Sequence, residues 1–181
     1  QSPGAALLDQ RAIVVLGEPG SGKTLLLHAV ALELASTCRL TSDGAISLGF
    51  LPAFVPMAGF TEATDDLGVD PATRLLGYVQ RVLDARTPGM ADALDDLMAQ
   101  GRVAFLFDAL DEVSGRAEQR AALAGIQALA AGAGSRCLFA LTVREAVYGG
   151  SLALNHPFRV YHLAPLATTA LPVAIRSWLG V

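Results

Sequence analysis

The chain of 181 residues contains a single lysine, two cysteines and one tryptophan, and only 17% of it is charged. Each scarcity closes off a class of function. Two cysteines, Cys38 and Cys137, are too few for a disulfide framework, which points to reduced thiols and a cytoplasmic setting. Twelve arginines are scattered singly and the net charge is −4, so the basic stripe of a dedicated nucleic-acid binder is missing. Long apolar runs are missing as well. The mean hydropathy of +0.46 comes largely from 32 alanines. The longest uncharged stretches, Ala45–Thr61 and Val160–Ile175, are interrupted by Pro52 and Pro56 or by Pro165 and Pro172. Both fall short of the roughly 20 residues a spanning helix needs. No signal-peptide pattern opens the chain. No membrane or nucleic-acid partner is therefore expected. What the chain does have is a hydrophobic share of 52%, enough for one domain with a real core.

Short β-branched or aromatic runs recur at Ile13–Leu16, Ala53–Val55, Val103–Phe107, Leu138–Leu141 and Phe158–Leu163. All but the last are near-continuous apolar runs, the pattern of strands buried on both faces of a parallel sheet. Helix-period segments alternate with them. Lys23–Ala35 is apolar on most sides and is expected to pack deep against the sheet. Asp70-Pro71 reads as an N-cap followed by proline at the first helical position. Further helices are expected at Ala91–Ala99, Glu118–Ala131 and about Thr169–Trp178. Alternation of this kind predicts a three-layer α/β domain.

Gly17-Glu18-Pro19-Gly20-Ser21-Gly22-Lys23-Thr24 follows the first strand directly and opens the helix Lys23–Ala35, with Leu25 the next residue. This is the G-x-x-x-x-G-K-[ST] phosphate loop in its strand–loop–helix setting. Glycines let successive backbone N–H groups converge on one anion, and the helix N-terminus adds to that field. Lys23 suits the β- and γ-phosphates as a compact charge, and the Thr24 hydroxyl suits Mg²⁺. The strand Val103–Phe107 then runs into Asp108-Ala109-Leu110-Asp111-Glu112. Asp108, at the strand end, is placed for the Mg²⁺ shell. Glu112, or else Asp111, is a candidate to orient the attacking water.

Taken together, these segments resemble the NACHT domains, nucleotide-switch NTPases of the STAND class related to AAA+ proteins. The resemblance rests on the phosphate loop and on Phe105-Leu-Phe-Asp-Ala-Leu-Asp-Glu112, which looks like the family's extended acidic motif. Leu51-Pro-Ala-Phe-Val-Pro56, Leu138-Phe-Ala-Leu-Thr-Val-Arg144 and Tyr161-His-Leu-Ala-Pro-Leu166 resemble its second strand, its sensor strand and its leucine–proline–leucine segment. Ala109 stands where the family often has Gly, an exchange of small residues. The resemblance implies a P-loop fold of the ASCE/AAA+ kind with a five-stranded parallel sheet in the order 5-1-4-3-2. It implies that residues 1–181 are the nucleotide-binding subdomain of a longer chain whose lid, winged-helix, effector and ligand-sensing regions lie outside it. It also implies ATP and ADP with Mg²⁺ as ligands, slow hydrolysis, and homo-oligomerisation on activation in signalling or defence. Arg144, with Thr142, is the implied reporter of the γ-phosphate.

The remaining motifs carry less. His28 is expected to pack or cap rather than to bind a ligand. His156 and His162 lack a Cys or carboxylate at metal spacing, so no zinc site is expected. The Asp65-Asp66 and Asp95-Asp96 pairs read as solvated surface. Leu171, Ile175 and Trp178 fall at helical spacing. An AAA+-type motor shares the site residues and is the alternative reading, with Arg116 or Arg120 as an interface finger. A G-protein is disfavoured because no N-K-x-D segment reads guanine. An ABC-type ATPase is disfavoured for want of an L-S-G-G-Q-like run, and a small-molecule kinase for want of an arginine-bearing lid.

Overall fold

The computed structural model describes residues 3–40, 46–60, 69–149 and 152–164. The elements are α1 (Pro3–Gln10), β1 (Ala12–Leu16), α2 (Lys23–Thr37), β2 (Arg39–Leu40), β3 (Ile46–Leu48), β4 (Leu51–Pro56) and α3 (Pro71–Arg86). They continue with α4 (Met90–Ala99), β5 (Val103–Asp108), a 3₁₀ turn (Leu110–Glu112), α5 (Arg116–Ala131), β6 (Leu138–Val143) and β7 (Arg159–His162). The expected helix at Thr169–Trp178 and the Asp65-Asp66 pair lie outside the described residues. Among the described residues, no helix is long and apolar enough to cross a membrane.

The main sheet runs β4-β5-β6-β1-β7 with every neighbouring pair parallel. Counting only its five strands, that order is 2-3-4-1-5, the expected 5-1-4-3-2 read from the other edge. Strands β1, β5 and β6 are buried at every position. Strand alternation sends their residues into two separate cores. On one face Val14, Phe105, Phe107, Phe139 and Leu141 pack with Leu75, Val79, Leu94, Leu123 and Ile126 of α3, α4 and α5. On the other face Ala104, Ala140, Ile13 and Val15 meet Leu27, Val30 and Leu34 of α2 and Leu7 of α1. The alanines on this second face let α2 lie close, and α2 positions the phosphate loop.

Three expectations change. Helix α2 does not pack on most sides: it buries the stripe Leu27, Val30 and Leu34, whereas Leu32 is 66% exposed. Helix α1 covers one flank instead, where the Gly4 N–H donates to Glu33 Oε2 at 3.1 Å. Strand β4 takes the edge position that the expected order gives it but is not buried on both faces: Ala53 and Val55 are buried while Phe54 is only half-buried. Its prolines, which cannot donate to a second neighbour, fit an edge. The β2–β3 hairpin was not anticipated, being too short for a periodic signal.

The Asp70 cap forms as expected, with Oδ1 accepting from the N–H groups of Ala72 and Thr73, both at 3.1 Å. A side-chain hydrogen bond from Thr73, helped by the Thr73 N–H, holds the Asp70 carboxyl below its ordinary value. Its contribution to α3 is therefore full at neutral pH. It is lost only as pH falls below the usual carboxylate range.

Helices α3 and α5 cross at Gly125. A methyl group there would lie 2.5 Å from the Pro71 carbonyl oxygen and 2.9 Å from Leu75 Cβ. Gly125→Ala is expected to lower stability by about 1–2 kcal/mol, because overpacking outweighs the gain of about 1 kcal/mol in helix propensity. Urea unfolding measures this; an increase in midpoint would refute the close crossing.

Candidate functional site: a phosphate cavity at the strand ends

The C-terminal ends of β1, β5 and β6 converge on one cavity of about 420 Å³. From the loop side Pro19, Gly20, Gly22, Lys23, Thr24 and Leu25 line it; from the acidic side Asp108, Ala109, Asp111, Glu112 and Arg144 do. Gly20 and Gly22 have φ of 75° and 92°, the left-handed values that let the loop curl. The Lys23 ammonium donates to the carbonyl oxygens of Gly17 at 2.8 Å and Glu18 at 2.9 Å, folding back over its own loop. Gly17 and Ser21 are buried, and Glu18 is exposed. These three stand outside the cavity lining, with Glu18 contributing its carbonyl. The Ser21 hydroxyl is buried without a partner, and a methyl group on Gly17 would lie 2.6 Å from it.

On the acidic side, the order of the side chains depends on contacts between β5 and β6. The Thr142 hydroxyl donates to Asp108 Oδ1 at 2.6 Å and accepts the Ala109 N–H at 2.8 Å. Thr142 is fully buried and does not line the cavity, so it orients Asp108 rather than meeting a phosphate. That corrects the expectation that Thr142 reads the γ-phosphate. Ala109 takes φ 56° and ψ 59°, which turns the chain into the 3₁₀ turn. Leu110 anchors the turn from below, and the Gln119 amide of α5 donates to the Val113 carbonyl at 3.0 Å. Asp111 and Glu112 then diverge. Asp111 accepts the Arg144 N–H through Oδ1 at 3.0 Å and pairs with Arg144 Nε through Oδ2 at 2.6 Å. Glu112 remains exposed at the cavity.

The exchange of Gly for Ala at 109 thus carries a backbone cost that small size alone does not reveal. Left-handed alanine costs about 1–2 kcal/mol, of which glycine's greater unfolded-state freedom takes back about 0.4–1 kcal/mol. Ala109→Gly is expected to raise stability by about 0.5–1 kcal/mol, read as a higher urea midpoint at unchanged slope. A lower midpoint would refute it.

The sequence match that decides the family spans almost the whole chain: the NACHT domain family model matches residues 11–179. This chain belongs to the NACHT domain family. The NACHT domain is a P-loop NTPase, and its fold and phosphate loop agree with that membership. It is also similar to the tRNA modification GTPase MnmE of Pseudomonas fluorescens (strain Pf0-1), 34% identical over 103 residues, covering 49% of this chain and 23% of that protein. The same enzyme of Pseudomonas aeruginosa (strain UCBPP-PA14) is 33% identical over 105 residues, covering 50% and 23% respectively. The chain therefore spans about a quarter of the length of these curated relatives.

The chemistry of the cavity suits the ligands of this NACHT domain. Two cations, Lys23 and Arg144, face three carboxylates, and Asp111 already neutralises Arg144. A polyphosphate entering here needs a divalent cation to offset Asp108 and Glu112. The Thr24 hydroxyl and the Asp108 carboxylate are hard oxygen donors that suit Mg²⁺. Among the described residues, no group of three or more His, Cys, Asp or Glu forms an all-protein metal cage. Mg²⁺ typically keeps waters and takes one or two carboxylates with substrate phosphates. His28 was expected to pack or cap; it is exposed, lines the cavity and stacks on Phe54 with ring centroids 4.3 Å apart. His162 Nδ1 lies 3.3 Å from Glu145, and Cys137 is buried, which pushes its thiol up.

Proposed function

We propose that this domain is a Mg²⁺-dependent ATP-binding and hydrolysing switch, resting with ADP and oligomerising with ATP, in a cytoplasmic signalling or defence protein. The observation that carries the reading is the single cavity in which the phosphate loop meets Asp108, Glu112 and Arg144. Lys23 and the loop N–H groups would hold the phosphates, and Thr24 with Asp108 would hold Mg²⁺, which supplies charge neutralisation at the phosphates. Glu112 would orient and accept a proton from the attacking water. Arg144 would meet the γ-phosphate, the group that distinguishes ATP from ADP. Effector and ligand-sensing regions of the same longer chain would read the resulting state, and homo-oligomerisation would follow the population shift.

A purine base would find room in a second cavity of about 340 Å³ beside the loop, lined by Pro3, Leu26, Val30, Tyr161, His162 and Leu163. It adjoins the phosphate loop where a methyl group on Gly17 would lie 3.4 Å from Leu163 Cβ. This mainly apolar lining would accept a ring face. Relatives named as GTPases favour GTP as a second reading.

The test is the nucleotide released on denaturing the freshly purified full-length protein. Stoichiometric ADP supports the locked switch. GDP moves the assignment to guanine nucleotides. An empty site with brisk ATP turnover favours the AAA+-type motor, and an empty site without turnover leaves a binding scaffold.

A further inference from the structure

The two adjacent acids of the 3₁₀ turn have different partners, and the difference assigns them different tasks. The Asp111 side chain is only 5% exposed, against 49% for Arg144. Both of its oxygens are engaged, one by the Arg144 backbone N–H at 3.0 Å and the other by Nε at 2.6 Å. Asp111 lines the phosphate cavity, but both of its oxygens are already taken by Arg144, which leaves neither free for a water on a phosphate. The guanidinium, in contrast, carries further N–H donors on Nη1 and Nη2, and Arg144 lines the phosphate cavity.

From this geometry we infer that Asp111 is a positioning residue that fixes the Arg144 guanidinium at the phosphate cavity, so that Arg144 discriminates a nucleoside triphosphate from a diphosphate. The inference rests on the switch reading above. Holding one arginine at both its backbone N–H and its Nε removes most of its rotamer freedom before any ligand arrives. Ordering such a side chain at the moment of binding costs conformational entropy. A pre-ordered guanidinium therefore turns more of its phosphate contact into affinity for the triphosphate. The grip also fixes β6 against the turn after β5. Asp108 leads into that turn, with Thr142 bonded to both Asp108 and Ala109. Glu112 is then the carboxylate of the turn left open to the cavity.

The experiment compares full-length wild type, Arg144→Ala, Asp111→Asn and the double variant. For each, affinities are measured for ADP and for an ATP analogue with an imido β–γ bridge, both with Mg²⁺. Asparagine keeps an oxygen for the Arg144 N–H and removes the charge facing Nε, so the turn retains its backbone contact. Arg144→Ala is expected to cut the triphosphate-over-diphosphate preference by about 10- to 100-fold, the size of one charge-assisted contact. Asp111→Asn is expected to cut it by about tenfold or more, and the double variant is expected to match Arg144→Ala alone. Asp111→Glu, which restores the charge, should recover part of the preference. A purely structural role would weaken both nucleotides together and leave their ratio unmoved, which overturns the inference. So does an Asp111→Asn effect that adds in full to that of Arg144→Ala. If Arg144→Ala itself leaves the preference intact while Lys23 and Glu112 variants behave as expected, the sensor part of the switch reading fails, and the inference fails with it.

Discussion

Lys23→Ala is expected to lower affinity for ATP and ADP by about 100-fold and to empty the purified protein of nucleotide. The size follows from two opposing terms. Contacts of one ammonium with two phosphates are worth about 1.5–3 kcal/mol each, which taken alone gives roughly 100- to 10,000-fold. In this structure, however, Lys23 already holds the Gly17 and Glu18 carbonyls at 2.8 and 2.9 Å. It must give these up, or share them, to reach a phosphate. The net loss therefore falls at the lower end of that range. Lys23→Arg is expected to recover little, because the planar fork cannot fold over the loop as a compact charge does. Titration of a fluorescent nucleotide in the presence of Mg²⁺ measures both variants. Binding by Lys23→Ala within threefold of wild type would remove the phosphate loop from the site.

The phosphate loop was legible because its chemistry is local. Glycines at 20 and 22, Lys23 and Thr24 follow one another between a strand and a helix, and no distant residue is needed to recognise them. The same holds for the Asp70-Pro71 helix start, whose cap reaches only two or three residues along the chain. Strand order was not contained in the apolar runs themselves and came from the family resemblance. That order already put β4 at an edge, and its prolines at 52 and 56 fit the position. The different surroundings of Thr142, Asp111 and Glu112 were hidden for a different reason. Two neighbouring acids look alike in sequence, and what separates them is a left-handed Ala109 followed by a partner just after β6, more than thirty residues away. Thr142 read as a polar residue beside a phosphate. Only the β5–β6 pairing shows that its hydroxyl is taken by Asp108. Helix α1 gave no signal, with Leu7 its one large buried side chain.

Replacing Glu112 by Gln is expected to slow turnover by about 100- to 10,000-fold while ATP affinity stays within threefold of wild type. A positioned general base contributes rate of this order, and glutamine keeps the shape while losing the ability to take a proton. The substitution leaves the turn intact for a specific reason. The hydrogen bond that Glu112 makes there is from its backbone N–H to the Ala109 carbonyl at 3.0 Å, and the exposed side chain makes no contact that holds the fold. Stability should accordingly move by no more than about 0.5 kcal/mol, as for other surface exchanges. The pattern separates Glu112 from its neighbours. Lys23→Ala removes binding, Asp111→Asn shifts the preference between tri- and diphosphate, and Glu112→Gln should bind normally and stall with the triphosphate in place. Single-turnover hydrolysis with nucleotide analysis of the bound fraction reads this directly: the variant should retain ATP where wild type holds ADP. A protein that behaves as a switch should then accumulate in its oligomeric form when ATP is supplied, visible as a larger species in solution. Turnover within tenfold of wild type would reject Glu112 as the base. With Asp111 committed to Arg144 and Asp108 bonded to Thr142, the attacking water would then have to be activated by the phosphate itself.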